Sequence, residues 1–438
     1  MDRDQLLQEA THYLQEYIRM DTSNPPGNET ETARFFEKIF ERESIPCQIF
    51  ESLPGRGNIL ATLKGSGTKG PLLLLSHMDV VPAEKEHWEV DPFGGTIKDG
   101  YLYGRGTLDD KSMGIVEAMA LLILKRERVS LDRDLLFFAT ADEETGGRWG
   151  VEWAMEHLPS LSEAEYAINE GGHIILDENG RTDRYEISNG QKVLFQLKLK
   201  ARGTSGHASR PLPDNPNVRL VHALERIAKW ETPFHVLPTV REFFQKLASK
   251  QPPERRPFFE EIEVGLKDPT FFAWLMSDPA YDILLRDTVC LTVLQGGSKA
   301  NVIPSESTSI LDCRLLPGSS KETFLQEIKG RAGEGIDVEV ISESDSLPPS
   351  PTDTELFRAI ENFAARNDPG CPVVPFLLAG ATDSRFLREK GIVAYDLSPF
   401  RLTQKDLLLM HGNNERIAVE NLRFGMKMMV DIIKEIAG

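Results

Sequence analysis

Residues Pro71–Pro82 read PLLLLSHMDVVP. The four leucines Leu72–Leu75 follow one another without a polar break. A short apolar run with no alternation fits a strand buried on both faces, as in a parallel sheet covered by helices. The run stops at Ser76-His77-Met78-Asp79. A His at the end of a buried strand, with an Asp two residues on, has the pattern of a metal ligand backed by a carboxylate. In α/β sheets, ligand sites gather at the carboxyl ends of strands. H-x-D alone also fits an ordinary core histidine, so the rest of the chain has to decide.

The same arrangement recurs. A second apolar stretch, Asp134–Ala141, ends at Asp142-Glu143-Glu144-Thr145-Gly146-Gly147, and a third, Tyr166–Asn169, ends at Glu170-Gly171-Gly172. Acidic clusters are ordinarily solvated surface, but these follow core strands. Between them, Gly104-Arg105-Gly106-Thr107-Leu108-Asp109-Asp110-Lys111 precedes a helix predicted over Ser112–Lys125. Its glycines resemble a dinucleotide fingerprint. Asp109 stands where the third glycine is needed, and no βαβ context precedes it. Two carboxylates before a helix suit a cation better than a phosphate. Lys64–Gly70 lacks the order of a phosphate loop and reads as a hairpin turn.

A chain of 438 residues is long for one core and predicts two domains. The formal charge of −18 argues against nucleic acid and anionic membranes as partners. No apolar run approaches the about 18 residues of a membrane span. The first twenty residues place Leu6, Leu7, Ala10, Tyr13, Leu14, Tyr17 and Ile18 on one helical face, a pattern unlike a signal peptide. Cys47, Cys290, Cys313 and Cys371 are scattered and predict buried free thiols in a reducing, cytoplasmic setting.

The texture changes after Gly190. Lys192–Ala201 alternates, with Val193, Phe195, Leu197 and Leu199 on one side. The loop Gly203–Ser209 carries His207, and a helix fits Asn217–Trp230. Residues 231–287 are rich in Pro and Phe and read as an insertion. Strands over Val289–Leu294, Ser307–Leu315 and Asp337–Ile341, with a helix over Lys321–Arg331, complete an α+β unit. Ser344–Thr352 is a linker back to the first domain. A helix over Thr354–Arg366, a last strand over Gly391–Leu397 and a closing helix over Val419–Ile436 follow.

His77, Asp109, Glu144, Glu170 and His411 together offer two imidazoles and three carboxylates. That donor set suits Zn²⁺, with Co²⁺ or Mn²⁺ as substitutes. One carboxylate can bridge two metals about 3.5–4 Å apart, leaving room for a water between them. Glu143, beside Glu144, can serve as the base for that water. Neighbours in extended conformation point to opposite sides, so one carboxylate can ligate while the other takes a proton.

In chain order, Ser76-His77-Met78-Asp79, Gly104-Arg105-Gly106 with Asp109 and Lys111, Asp142-Glu143-Glu144 with Gly146, Glu170-Gly171, Gly203–Ser209, Asn301-Val302-Ile303-Pro304, Asp312-Cys313-Arg314, Gly380-Ala381-Thr382-Asp383, and His411 with Asn414-Glu415 resemble the motifs of the M20 metallopeptidases. This is the group of aminoacylases, acetylornithine deacetylases, succinyl-diaminopimelate desuccinylases and glutamate carboxypeptidases. The resemblance implies an α/β, zinc-exopeptidase-like catalytic domain with a mainly parallel sheet, over residues 1–190 and 346–438. An α+β lid and dimerisation domain, residues 191–345, would be inserted in it. It implies two Zn²⁺ ions per subunit. Asp109 would bridge them, with His77 and Glu170 on one and Glu144 and His411 on the other. Asp79 would orient His77, Glu143 would be the base, and the Asp109–Asp110 peptide would be cis. His207 would reach the partner subunit's site of a homodimer to stabilise the oxyanion. Asn301, Arg314 and Gly380 would meet the substrate, with Arg314 on its α-carboxylate. The expected substrate is an N-acyl amino acid or dipeptide with a free carboxylate. Alternatives are a carbamoyl- or ureido-acid amidohydrolase on the same scaffold and a noncatalytic metal- or ligand-binding relative.

Overall fold

The computed structural model describes residues 2–438. The chain divides into two units. The first runs to Asn189 and resumes over Ser350–Phe376 and Thr382–Gly438; the second is Gly190–Pro349 with Leu377–Ala381. In the first unit the Ser350 N–H donates to the Asn189 carbonyl at 2.6 Å and the Asn189 side chain returns a bond to the Ser350 carbonyl at 2.7 Å. The points of departure and return are thus stapled together. Gly380, placed with the first domain on sequence grounds, falls within the second unit.

The strand Leu72–His77 lies in the middle of the first unit's sheet, and all of its residues are buried. Leu72 and Leu74 face one hydrophobic layer while Leu73 and Leu75 face another. Cover on both faces explains why the run has no polar alternation. Leu135–Thr140 and Tyr166–Asn169 lie parallel on either side, and Val393–Asp396 extends the parallel set beyond Tyr166–Asn169. The flanks are antiparallel. Cys47–Leu53 and Arg56–Leu63 form a hairpin against Leu135–Thr140, and Thr182–Gln191 pairs with Val393–Asp396. Helices Arg3–Ile18, Thr30–Arg42, Lys111–Arg126, Glu355–Asn367 and Val419–Ala437 contribute Leu14, Phe36, Met119, Phe363 and Met429 to one layer. Trp153–His157, Pro159–Ser162 and Ser384–Glu389 contribute Ala154, Leu161 and Leu387 to the other. The fold is α/β with a mainly parallel centre, as expected.

Several local expectations change. Lys64–Gly70 is no hairpin turn, because Leu135–Thr140 inserts between Arg56–Leu63 and Leu72–His77 and pairs with both. Val393–Asp396 is not the last strand; the short strands Arg401–Leu402 and Arg416–Ala418 follow it. Thr182–Gln191 is a strand despite its polar sequence. It is buried in the sheet with its polar groups paired: the Ser188 hydroxyl donates to Asp396 at 2.8 Å and that of Tyr185 to Asp368 at 2.6 Å. Of the four free cysteines only Cys313 is buried, and Cys290 is exposed on an edge strand.

The second unit is a four-stranded antiparallel sheet in the order Thr288–Gln295, Glu306–Leu315, Val193–Arg202, Ile336–Glu343. Val193, Phe195, Leu197 and Leu199 pack with Leu220 and Leu224 of helix Pro216–Ala228 and Phe324 and Ile328 of helix Lys321–Ala332. The insertion folds into short helices such as Pro238–Leu247 and Pro269–Leu275 around rings packed edge to face, among them Phe244, Phe259 and Phe271.

Candidate metal centre

The strand ends bring five predicted residues of the first unit together. His77 closes Leu72–His77, Glu170 follows Tyr166–Asn169, and Glu144 lies in the turn Glu143–Thr145 after Leu135–Thr140. Asp109 precedes helix Lys111–Arg126, and His411 comes from the loop before Arg416–Ala418. Asp109 gives one oxygen to each imidazole: Oδ1 is 2.8 Å from His77 Nε2, and Oδ2 is 2.9 Å from His411 Nε2. Glu170 Oε1 lies 3.5 Å from His77 Nε2, and Glu144 Oε1 3.4 Å from His411 Nε2. Two groups able to hold a cation result, His77–Asp109–Glu170 and Asp109–Glu144–His411, with Asp109 shared. Within each, the ligand atoms lie inside 4.8 Å of one another. Glu144 Oε1 is buried without a hydrogen-bond partner. This nitrogen and oxygen donor set, with an orphaned buried oxygen, fits divalent metal.

The electrostatics point the same way. Burial and the Asp109 charge push Glu170 up to about 8. Burial and Glu170 lift Glu143 well above the usual carboxylate range. The Asp109 carboxylate bonded to it and the nearby Glu144 carboxylate raise His411 to about 10. Burial would raise Asp109 too, but the hydrogen bonds from His411 and His77 outweigh it and hold the group far below its ordinary value. Carboxylates this crowded repel one another unless cations lie among them.

The supports are mostly backbone bonds. Asp79 accepts the N–H groups of Glu143 and Glu144, each at 3.1 Å, and the side-chain amide of Asn24 at 2.7 Å. The nearest partner of His77 Nδ1 is the Asp79 carbonyl oxygen at 2.9 Å; the Asp79 carboxylate is at 3.5 Å. Asp79 therefore meets His77 chiefly through its backbone and holds the turn that carries Glu143 and Glu144 through its side chain. That turn is a 3₁₀ turn entered through Asp142 at φ 74°, so Glu143 and Glu144 diverge by helical geometry and not by the pleat of a strand. The Asp109–Asp110 peptide is cis. Gly172 allows a close approach: a Cβ there would meet the Asp396 carbonyl oxygen at 2.2 Å.

Sequence reasoning assigned no role to Asn24, Arg56, Asp142, Asp383 or Glu415. Arg56 bridges Asp142 at 3.0 Å and Glu29 at 2.9 Å beneath the turn. Burial pushes Asp383 up to about 6. Glu415 clasps the loop before Asp109, accepting Arg105 Nη1 at 2.6 Å and the Leu108 N–H at 2.7 Å. Asn24 precedes two prolines and Glu415 follows two asparagines. Those were the available signals.

In the second unit, Gly206–His207 pairs with Val302–Ile303, and the Ala208 N–H donates to the Asn301 carbonyl at 3.0 Å, so His207 and Asn301 come side by side. His207 is exposed, with Nδ1 2.8 Å from the Ser209 hydroxyl. Arg314 Nε donates to Asp312 on its own strand at 2.7 Å. A side chain at Gly380 would meet nothing within 4 Å.

The profile of peptidase family M20/M25/M40 matches residues 73–435. The chain belongs to this family and is a hydrolytic enzyme. It is 28% identical over 425 residues to the N-fatty-acyl-amino acid synthase/hydrolase of Homo sapiens, covering 92% of this chain and 82% of the relative. It is also 28% identical over 412 residues to aminoacylase-1 of Homo sapiens, covering 92% of this chain and 89% of that one. Among solved structures, an M20 family metallo-carboxypeptidase from Sulfolobus solfataricus superposes with a TM-score of 0.73 at 20% identity, over 100% of this chain and 99% of its own. No helix among the described residues is long and apolar enough to cross a membrane.

Proposed function

We propose that this chain hydrolyses the amide bond of an N-acyl amino acid or dipeptide that carries a free α-carboxylate. The observation that carries the reading is Asp109, which offers one oxygen to each of two imidazoles with Glu143 in the adjoining turn. The relatives' names agree, since an aminoacylase and an N-fatty-acyl-amino acid hydrolase share this bond type.

In this reading His77, Asp109 and Glu170 would hold one Zn²⁺ and Asp109, Glu144 and His411 would hold a second, with Co²⁺ or Mn²⁺ as substitutes. When bound, such ions polarise the scissile carbonyl and acidify water. Glu143 takes the proton of the attacking water and passes it to the departing nitrogen. Its raised pKa suits a group that must also donate. His207 and Asn301 stabilise the oxyanion. Arg314 meets the α-carboxylate with the edge of its fork that Asp312 leaves free. The open space at Gly380 admits substrate.

The second unit acts as lid and dimerisation domain. Its edge strand Thr288–Gln295 exposes Leu291 and Leu294, and helix Pro216–Ala228 exposes Val218 and Val221. Such an edge needs cover, which a second copy supplies. The free cysteines accord with a cytoplasmic location.

A panel of N-acyl amino acids, dipeptides and ureido acids, assayed with the zinc-loaded protein, tests the reading. Release of a free amino acid from the first two classes is expected. Turnover of ureido acids alone overturns it.

A further inference from the structure

A cavity of about 600 Å³ opens in the first unit. Helices Arg3–Ile18, Lys111–Arg126 and Val419–Ala437 and the short strands Tyr101–Tyr103, Arg401–Leu402 and Arg416–Ala418 supply its wall. None of the metal-centre residues lines it. The volume is that of a small-molecule site. Leu6, Ile123, Leu402, Met426 and Val430 give it an apolar lining.

The ion pairs of the wall leave two of its cations without a carboxylate partner. Arg401 holds Asp368, Arg423 holds Glu420 and Asp4, Lys427 holds Asp431, and Lys434 holds Glu127. The remaining wall acid, Asp406, accepts the hydroxyl and N–H of Thr403 in a capping box. Two cations of the lining are left over, Arg3 and Arg416, neither with a carboxylate partner among the described residues. Arg416 is held in place all the same. Its Nη1 donates to the Tyr103 hydroxyl at 2.5 Å, and its guanidinium lies 4.8 Å from the centre of the Tyr101 ring and 5.3 Å from that of Tyr103. Its Nε is buried with no partner, and its Nη2 makes no hydrogen bond. A pre-oriented guanidinium without an ion-pair partner, beside an apolar cavity, calls for an anion with an apolar body.

We propose that this cavity binds a free, single-chain fatty acid, with its carboxylate on Arg416 and its acyl chain along Leu402, Met426 and Val430. The planar fork suits a carboxylate. The same chemistry could come from an anionic membrane lipid, but the net charge of −18 opposes an anionic surface. A carboxylate could also enter the metal centre, so the test has to locate the ligand as well as detect it.

The probe is lauric acid bearing a diazirine at its far end, used below its micelle concentration with the full-length protein. After irradiation, adducts are expected on peptides of Val419–Ala437 or Arg3–Ile18. Excess laurate should suppress them and dodecanol should not. In calorimetric titrations, affinity should rise about fourfold per methylene from octanoate to laurate. Arg416→Gln should weaken laurate at least tenfold. Val430→Trp fills the cavity without touching the charge and should abolish the adducts, so the proposal survives a failure of Arg416→Gln to fold. Adducts confined to the metal-centre loops overturn it. So does labelling unchanged in Val430→Trp, the absence of any labelling, or binding to phosphatidylglycerol vesicles without binding to free laurate.

Discussion

Asp79 Oδ1 accepts the backbone N–H of Glu143 at 3.1 Å, so the loop after the central strand holds the turn that presents Glu143. The same carboxylate takes the N–H of Glu144 through its other oxygen, while the Asp79 carbonyl meets His77 Nδ1. One buried residue thereby fixes His77 of one candidate metal group, Glu144 of the other, and Glu143 beside it. The charge is itself stabilised: burial opposes ionisation, but His77 and Asn24 hold the Asp79 carboxyl below its ordinary value.

Asp79→Asn keeps the shape and replaces one acceptor oxygen by an N–H₂ group. That group would face the N–H of Glu143 or Glu144. Loss of such a support typically costs about 10–100-fold in metal affinity or activity. Competition against a chelator should show weaker metal binding by that order, with kcat falling in parallel. Unchanged metal affinity and kcat would remove Asp79 from the supports.

Glu143→Gln removes the base and leaves the backbone bond to Asp79 in place. Metal content should stay near wild type, while kcat falls about 10²–10⁴-fold. Near-normal turnover would assign proton transfer to another group.

Glu415→Gln tests the clasp on the Asp109 loop. Arg105 and Glu415 form a buried pair, with Arg105 2% and Glu415 0% exposed. Removing one partner strands the other charge, at a cost of about 3–5 kcal/mol. Urea unfolding monitored on the first unit should show a loss of that order. A change below about 1 kcal/mol would mean that the loop is held by its backbone alone.

The legible part of this molecule is the part whose pattern is complete within a short stretch. Leu72–Leu75 and the apolar stretches before Glu143 and Glu170 gave strand positions because burial on both faces forbids polar residues. Each strand end then placed a ligand. Thr182–Gln191 carried no such pattern, since its burial depends on partners such as Asp396 and Asp368 that lie far off in sequence. Asn24, Arg56 and Glu415 are opaque for the same reason: their partners, among them Asp79, Asp142 and Arg105, lie far off in the chain. Lys64–Gly70 joins two strands that are neighbours in sequence but not in the sheet, because Leu135–Thr140 lies between them.

Metal removal tests the centre as a whole. With His77, Asp109, Glu144, Glu170 and His411 as ligands, prolonged chelation should abolish activity, and Zn²⁺, Co²⁺ or Mn²⁺ should restore it. Chelation should also lower the Tm, because binding to the folded state adds stability that is lost with the ion. Full activity in a sample shown to be metal-free would end the mechanism proposed here.

His207 sits beside Asn301 in the second unit, exposed and on a two-residue strand. A donor that meets the oxyanion works mainly in the transition state, and losing one typically costs about 10²–10³ in turnover. His207→Ala should lower kcat by that order with little change in KM or metal content. The homodimer reading adds a sharper consequence. If His207 serves the partner's metal centre, a heterodimer of His207→Ala and Glu143→Gln subunits contains one site with both groups intact. Each variant alone is nearly inactive, so mixing them under conditions that exchange subunits should recover a substantial fraction of one site's activity. Exchange demonstrated by mass spectrometry, with no recovery, would place His207 in its own subunit's site or outside catalysis altogether.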